Sequence, residues 1–213
     1  SFLFSLSVIS YVITVYAFSK KNTPAEVGKV VTPSRALQFF KTVGDLKRLK
    51  RTGWVNHNVK LPESVADHMY RMSMLSLLIK DPEIDRERLM KICMVHDLAE
   101  AIVGDITPHD TRVTKEMKRK MEEEALVKIA EDIGDEAIGD EIKALWFEYE
   151  DCSTAEARLA KNLDKFEMIL QADEYERTQG KDLSDFFEST RGKFDHPEVM
   201  KWDTTLRELR EKE

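Results

Sequence analysis

At 213 residues the chain is long enough for one domain with a sizeable core, with or without an appendage. Its 33 basic and 40 acidic residues leave a formal charge of −7, which excludes the overall cationic field that draws in a nucleic-acid polymer. Two cysteines argue against a disulfide framework and fit a reducing compartment, while 8 Gly and 6 Pro amid abundant Leu, Met, Glu, Lys and Ala predict an all-α protein.

Residues 1–19 carry no charge, are rich in Phe, Val, Ile and Tyr, and end at Lys20-Lys21. That is close to the roughly 20 residues that span a bilayer, and the positive flank would leave the main domain cytoplasmic. A secretory signal fits poorly, because a basic leading region and a small-residue cleavage site are both missing. A membrane anchor, a processed or organelle-targeting leader and a true start lying upstream remain open. Residues 22–31 read as a linker. The expected organisation is therefore an apolar segment with linker over 1–31 and a working domain over 32–213.

Thr32-Pro33-Ser34 marks a helix start, followed at helical spacing by Leu37, Phe40, Val43, Leu46 and Leu49. The helix runs into Lys47-Arg48-Leu49-Lys50-Arg51 and then Thr52-Gly53-Trp54. A basic run suits a helix C-terminus. The sharper reading is that Arg51 and Trp54 contact an anionic, ring-bearing ligand. Leu61-Pro62-Glu63-Ser64 opens a second helix, with Val65, Met69, Met72, Leu75 and Leu78 as its buried stripe and His68 within it. A lone helical His is more often satisfied in the core or exposed than a ligand. His57 and His196 fall in loops and read as structural or exposed.

Asp85 caps a third helix, whose apolar run over 89–94 leads into Val95-His96-Asp97-Leu98-Ala99-Glu100. Neighbouring helical residues point about 100° apart, so His96 and Asp97 share a cation only if it sits in the angle between them. Glu100 lies one turn beyond His96, on roughly the same face. Gly104 permits a sharp turn that brings Asp105 back toward the same spot. A second pair, His109-Asp110, follows Pro108 in a polar connection and reads as a decoy.

Residues 113–133 form a charged amphipathic helix, with Met117, Met121, Leu126 and Ile129 expected inward. Residues 135–150 give another, through Ile138, Ile142, Leu145 and Tyr149. Ser153-Thr154-Ala155-Glu156 is a capping box that starts a long helix through Leu159, Leu163, Phe166 and Leu170 to Tyr175. Asp164 falls between Leu163 and Phe166, where a carboxylate is costly to bury unpaired. Its partner is either Arg158, Lys161 or Lys165 in a salt bridge, or a metal. A last helix over 197–209 carries Val199, Trp202, Leu206 and Leu209. No internal repeat, Gly-rich phosphate loop or Gly-x-Ser-x-Gly elbow occurs.

If His68, His96, Asp97 and Asp164 converge, two imidazoles and two carboxylates leave open positions on a six-coordinate ion for water and substrate. Mixed N/O ligation suits Mn, Fe, Co or Zn better than a calcium-type oxygen cage. Such an ion polarises a phosphoryl oxygen and acidifies water. Glu100 and Asp105 then become candidates for proton transfer or for holding a second ion.

Several motifs together resemble the HD-domain metal-dependent phosphohydrolases, and within them the 5'-deoxynucleotidase branch. They are Leu49-Lys50-Arg51-Thr52-Gly53-Trp54, Glu63-Ser64-Val65-Ala66-Asp67-His68, His96-Asp97-Leu98-Ala99-Glu100, Gly104-Asp105-Ile106-Thr107-Pro108 and Leu163-Asp164-Lys165. Further matches are Leu145-Trp146-Phe147-Glu148-Tyr149-Glu150, Gln171-Ala172-Asp173-Glu174-Tyr175-Glu176 and Arg191-Gly192-Lys193-Phe194, so the likeness runs from about Ser34 to Leu209.

The resemblance implies an all-α HD-domain bundle with a metal site at its centre, usually a homodimer, that removes phosphate from deoxynucleoside 5'-monophosphates. Its four primary ligands fall on His68, His96, Asp97 and Asp164. The additional acidic site falls on Glu100 and Asp105, with the Ile106 carbonyl a further ligand of a second ion. The implied cofactor is a divalent cation, Mn²⁺, Co²⁺ or Mg²⁺. Bacterial relatives place an Arg directly before the Trp that meets the nucleotide; here Gly53 stands there, and Arg51 is the nearest preceding Arg. In the implied mechanism water attacks phosphorus, Glu100 or Asp105 assists proton movement, and Arg51 neutralises developing charge. Two rivals stay open: triphosphate or phosphodiester hydrolysis on the same fold, and a non-enzymatic helical module with a structural metal.

Overall fold

The structure, a computed structural model, describes residues 30–108 and 110–212. The readings of the 1–19 segment, and of His109 as half of a decoy pair, lie outside the described residues. Among the described residues ten helices follow one another: α1 Pro33–Leu46, α2 Thr52–Asn56, α3 Val65–Ser76, α4 Arg86–Val95, α5 Glu100–Val103, α6 Lys115–Ile133, α7 Glu136–Asp151, α8 Ala155–Gln179, α9 Ser184–Thr190 and α10 Pro197–Arg210. Among the described residues there is no strand, only an antiparallel bridge between Lys50 and Ser64. None of these helices is long and apolar enough to cross a membrane.

The bundle is arranged around α8, which is 25 residues long and packed against α3, α4, α7, α9 and α10. Thr154 starts it by accepting the Ala157 N–H at 3.1 Å. Its buried surface holds Leu159, Leu163, Phe166, Ile169 and Ala172, which join Met72, Leu89, Ile92, Cys93 and Phe187 in the largest core cluster. The polar residues buried on α8 have partners: Asn162 bonds Asp195, Gln171 meets Arg71, and Asp173 meets Arg177. Asp85 and Asp135 cap α4 and α7 through their side chains, and Cys93 and Cys152 are free thiols.

Several expected core faces are displaced, on α1 for a geometric reason. A series spaced strictly by three residues falls about 60° behind the helix at each step, so Leu37 and Leu46 lie on opposite sides of α1. Leu46 is buried, whereas Leu37 and Phe40 are 59% and 63% exposed. Met117 and Met121 on α6 are likewise exposed, while Leu126, Ile129 and Ile133 are buried; followed backward, the buried stripe runs through Glu122. Leu78 lies past the end of α3 and is exposed, as are Ile138 in the first turn of α7 and Leu209 in the last turn of α10.

Between α4 and α5 the helix tightens. The N–H groups of Leu98, Glu100, Ala101 and Ile102 donate to the carbonyls of Val95, Asp97, Leu98 and Ala99, three residues back, at 2.9, 3.1, 3.2 and 2.9 Å. At about three residues per turn, positions i and i+3 eclipse, so Glu100 comes round over Asp97 rather than over His96. Gly104 then takes φ +80° and ψ 165°, a region essentially restricted to glycine, and redirects the chain at Asp105.

Candidate metal centre

Three helices meet at the middle of α8. The Ser64–Asp67 capping box sets the start of α3 one turn before His68: Asp67 N–H donates to Ser64 Oγ at 3.1 Å, and Ser64 N–H to Asp67 Oδ2 at 2.8 Å. The end of α4 delivers His96 and Asp97, and α8 delivers Asp164. His68, His96 and Asp164 each offer an atom within 4.8 Å of the others, a group able to hold a metal ion. Asp97 Oδ2 lies 3.1 Å from His96 Nε2 and 3.8 Å from His68 Nε2. Asp164 Oδ1 lies 3.3 Å from His68 Nε2.

Both imidazoles are held from behind. His68 Nδ1 is 2.5 Å from Glu167 Oε2, and His96 Nδ1 donates to the Cys93 carbonyl at 2.9 Å. Each outer contact keeps a proton on Nδ1 and leaves Nε2 as the atom that faces inward. Both Nε2 atoms are buried without a hydrogen-bond partner among the described residues. Unpartnered buried nitrogens of this kind, beside carboxylates, suit a cation. Glu167 is fixed in turn by Arg71, whose Nε–H donates to Oε1 at 2.7 Å. Tyr149 O–H donates to Asp164 Oδ2 at 2.7 Å. The salt-bridge reading of Asp164 is not what forms, since Lys161 pairs with Glu150, Lys165 bonds the Lys161 carbonyl, and Arg158 bonds that of Cys152.

Electrostatics follow from crowding acids in a dry place. Against burial and Arg51, the carboxylates of Glu167 and Asp164 push the His68 imidazole up to about 10. Burial opposes charge on Asp164 and Asp97 too, yet the imidazoles and Arg51 hold both below the usual carboxylate range. Burial, then Asp97 and Asp105, pushes Glu100 well up. Burial and Asp164 keep the Tyr149 phenol protonated as a donor.

Around this cluster, Arg51 NH1 approaches Asp97 Oδ2 at 3.6 Å, and the acids around it keep the guanidinium charged despite burial. The Lys50–Ser64 bridge, together with Arg51 N–H donating to the Glu63 carbonyl at 3.2 Å, ties this stretch to the start of α3. A Cβ at Gly53 would lie 3.6 Å from the Phe186 ring. Trp54 is 1% exposed, packed on Phe186 and Tyr175, and its indole N–H donates to Glu63 Oε1 at 2.9 Å. Its ring is a wall of the core rather than an open platform. Asp105 does turn back, and there its Oδ2 accepts the Thr52 N–H at 2.6 Å and its carbonyl accepts the Thr52 hydroxyl at 2.7 Å. Ile106 beside it is half-buried. Glu100 stands at the flank, 3% exposed, with Oε2 unpartnered.

Sequence reading overlooked Glu167 and Arg71 and took Tyr149 as core alone. A signal existed: Glu167 is three residues past Asp164 and Arg71 three past His68, so each ligand candidate has a charged residue one turn away on the same side. Glu63, His68 and Glu167 form a second group able to hold an ion, but Trp54 occupies Glu63 while His68 and Arg71 occupy Glu167.

The HD domain pattern matches residues 43–200, a span that includes every residue of this cluster. The chain is 54% identical over 176 residues to 5'-deoxynucleotidase HDDC2 of Danio rerio, covering 82% of this chain and 87% of that protein. It is 52% identical over 177 residues to the protein of the same name from Dictyostelium discoideum, covering 77% and 92%. A solved structure of a conserved hypothetical protein from Pyrococcus furiosus superposes with a TM-score of 0.68 at 33% identity, over 82% of this chain and 99% of that one.

Proposed function

The chain belongs to the HD-domain family, and on that premise we propose that it is a metal-dependent phosphomonoesterase, a 5'-deoxynucleotidase that hydrolyses deoxynucleoside 5'-monophosphates to deoxynucleosides and phosphate. The observation that carries the chemistry is the pair of buried, unpartnered Nε2 atoms of His68 and His96 beside Asp97 and Asp164. The relatives' activity supports the substrate class. His68, His96, Asp97 and Asp164 would hold a divalent cation, and mixed N/O donors support Mn²⁺ or Co²⁺, with Mg²⁺ next. Glu100, Asp105 and the Ile106 carbonyl would flank a second one. A bound cation supplies Lewis acidity toward a phosphoryl oxygen and makes water more acidic.

The chain's own groups do the rest. Arg51, kept charged, meets the phosphate oxygens and offsets the charge that grows as water's oxygen bonds to phosphorus and the bond to the 5'-oxygen breaks. Glu100, buried at the flank of the cluster with Oε2 unpartnered, passes a proton to the departing 5'-oxygen, and Asp105 takes the proton lost by water. Glu167 and Tyr149 keep His68 and Asp164 aimed. Trp54 anchors α2 and so sets where Arg51 stands.

The test uses the full chain, stripped with chelator and resupplied with Mn²⁺, Co²⁺ or Mg²⁺. Phosphate release is measured from each deoxynucleoside and ribonucleoside 5'-monophosphate, from triphosphates and from cyclic nucleotides. Metal-dependent release from deoxynucleoside monophosphates is the expected result; none from any of them sinks the reading, and cleavage of triphosphates or cyclic esters alone replaces it.

Residues 32–213 are the working domain in this reading, and 1–31 an appendage. The free thiols of Cys93 and Cys152 support a reducing, cytoplasmic setting. A homodimer is supported by the exposed apolar side chains of Tyr70 and Met74 on α3 and of Leu77 and Leu78 just past its end. Light scattering on the purified chain, read against its 24.7 kDa mass, decides that point.

A further inference from the structure

The buried stripe of α6 reads Glu122, Ala125, Leu126, Ile129 and Ile133. An apolar residue at position 122 would continue it, and a buried ion pair is weak support for stability compared with well-packed hydrocarbon. The chain instead buries a carboxylate there. Lys118, one turn earlier on the same face, places its Nζ 3.4 Å from Glu122 Oε1. The same Nζ lies 3.8 Å from Glu100 Oε1. The side chains of Glu122 and Glu100 are 8% and 3% exposed, and that of Lys118 is 33% exposed, so the ammonium is gripped from behind while it faces the acid. Glu100 Oε2 has no hydrogen-bond partner among the described residues.

We propose that Lys118, seated by Glu122, is a positioning residue for Glu100: by engaging Oε1 it leaves Oε2 as the atom presented to the reaction. This rests on the phosphomonoesterase reading, in which Glu100 handles the proton of the leaving oxygen. The ammonium is part of the site's charge balance as well. Removing it leaves the acids of the site less neutralised, which favours any divalent cation they hold.

Lys118→Met, Lys118→Arg and Glu122→Gln in the full chain test the assignment, by kcat and KM on dAMP with Mn²⁺, by Mn²⁺ titration calorimetry without nucleotide, and by thermal melting. For Lys118→Met, kcat should fall about 10- to 100-fold, the usual scale for losing a group that orients an acting one. KM should stay within about threefold while Mn²⁺ binds several-fold tighter, a charge effect. Lys118→Arg should recover most of kcat, and Glu122→Gln should fall between. These opposite movements of turnover and cation affinity would not come from a merely structural lysine, whose loss weakens both and lowers the melting temperature. A kcat within twofold of wild type overturns the proposal. So does a rise confined to KM, which would make Lys118 a phosphate contact, or weaker Mn²⁺ binding. Should Lys118→Met fail to fold, Glu122→Gln with an unchanged kcat overturns it. A wild-type chain inactive on every deoxynucleotide defeats the enzymatic reading instead, and tighter Mn²⁺ binding by Lys118→Met then decides alone whether this ammonium acts on the site.

Discussion

The two sides of the acidic cluster are built differently. On one side, His68 and Asp164 project from the long helices α3 and α8, and each is tied from behind, by Glu167 and Tyr149. On the other, Glu100 follows a tightened turn, Asp105 sits after a glycine-only bend, and Glu100 keeps an unpartnered oxygen. Rigid helices with satisfied outer contacts suit ligands whose geometry must not vary. A short turn carrying an acid with an unpartnered oxygen suits a group that must gain and lose a proton during turnover.

That contrast makes separable predictions. The largest effect belongs to His68→Ala, which should abolish Mn²⁺ binding in calorimetry and lower phosphate release by about 10³-fold or more, with the helical circular dichroism retained. Next, Glu100→Gln should cost about 10²-fold in kcat while Mn²⁺ affinity stays within a few-fold. If it removes Mn²⁺ as thoroughly as His68→Ala does, the two sides are not distinct and Glu100 is a primary ligand. Glu167→Gln should show the reverse balance, weakening Mn²⁺ by about 10- to 100-fold, with activity restored at saturating metal. An unchanged Mn²⁺ affinity would mean that the Nδ1 contact of His68 does not matter.

The smallest effect is on stability. Burial raises Glu122 to about 7, against the opposing pull of Lys118. In the folded chain this carboxyl thus binds its proton more tightly than in the unfolded chain, so its contribution is fully present below the unfolded value of 4.5 and is lost as pH rises through about 7. Urea midpoints of wild type should therefore fall relative to those of Glu122→Gln between pH 5 and pH 8, by a few tenths of a molar. Parallel curves for the two proteins would remove Glu122 from the group of strained acids.

Much of the architecture was legible because its signals are local. The caps at Ser64, Asp85, Asp135 and Thr154 hold helix starts within a residue of where side-chain chemistry predicts them. Asp164 stood out because a carboxylate between Leu163 and Phe166 needs a partner. The inward faces of α1 and of the start of α6 were misread: on α1 an every-third-residue series precesses around the helix, and on α6 apolar side chains alone do not say which side the neighbours occupy. Trp54 was read as a contact for a ring-bearing ligand, and nothing in the neighbouring residues signalled that Tyr175 and Phe186, far along the chain, pack against its ring.

By itself, then, the order of residues determined the helical class, most helix starts, the kinds of donor atoms available and the glycine at which the chain turns toward Asp105. Those properties depend on backbone and side-chain preferences within a few positions. Only the folded bundle decided that Glu167 and Arg71 stand behind His68, that Tyr149 rather than a lysine holds Asp164, and that Lys118 reaches Glu100. The pairings of Tyr149 with Asp164 and of Lys118 with Glu100 cross one connection between helices, whereas Glu167 and His68 stand 99 residues apart. Each is selected by the cost of leaving a charge unpaired in a dry interior, which no short window of sequence expresses.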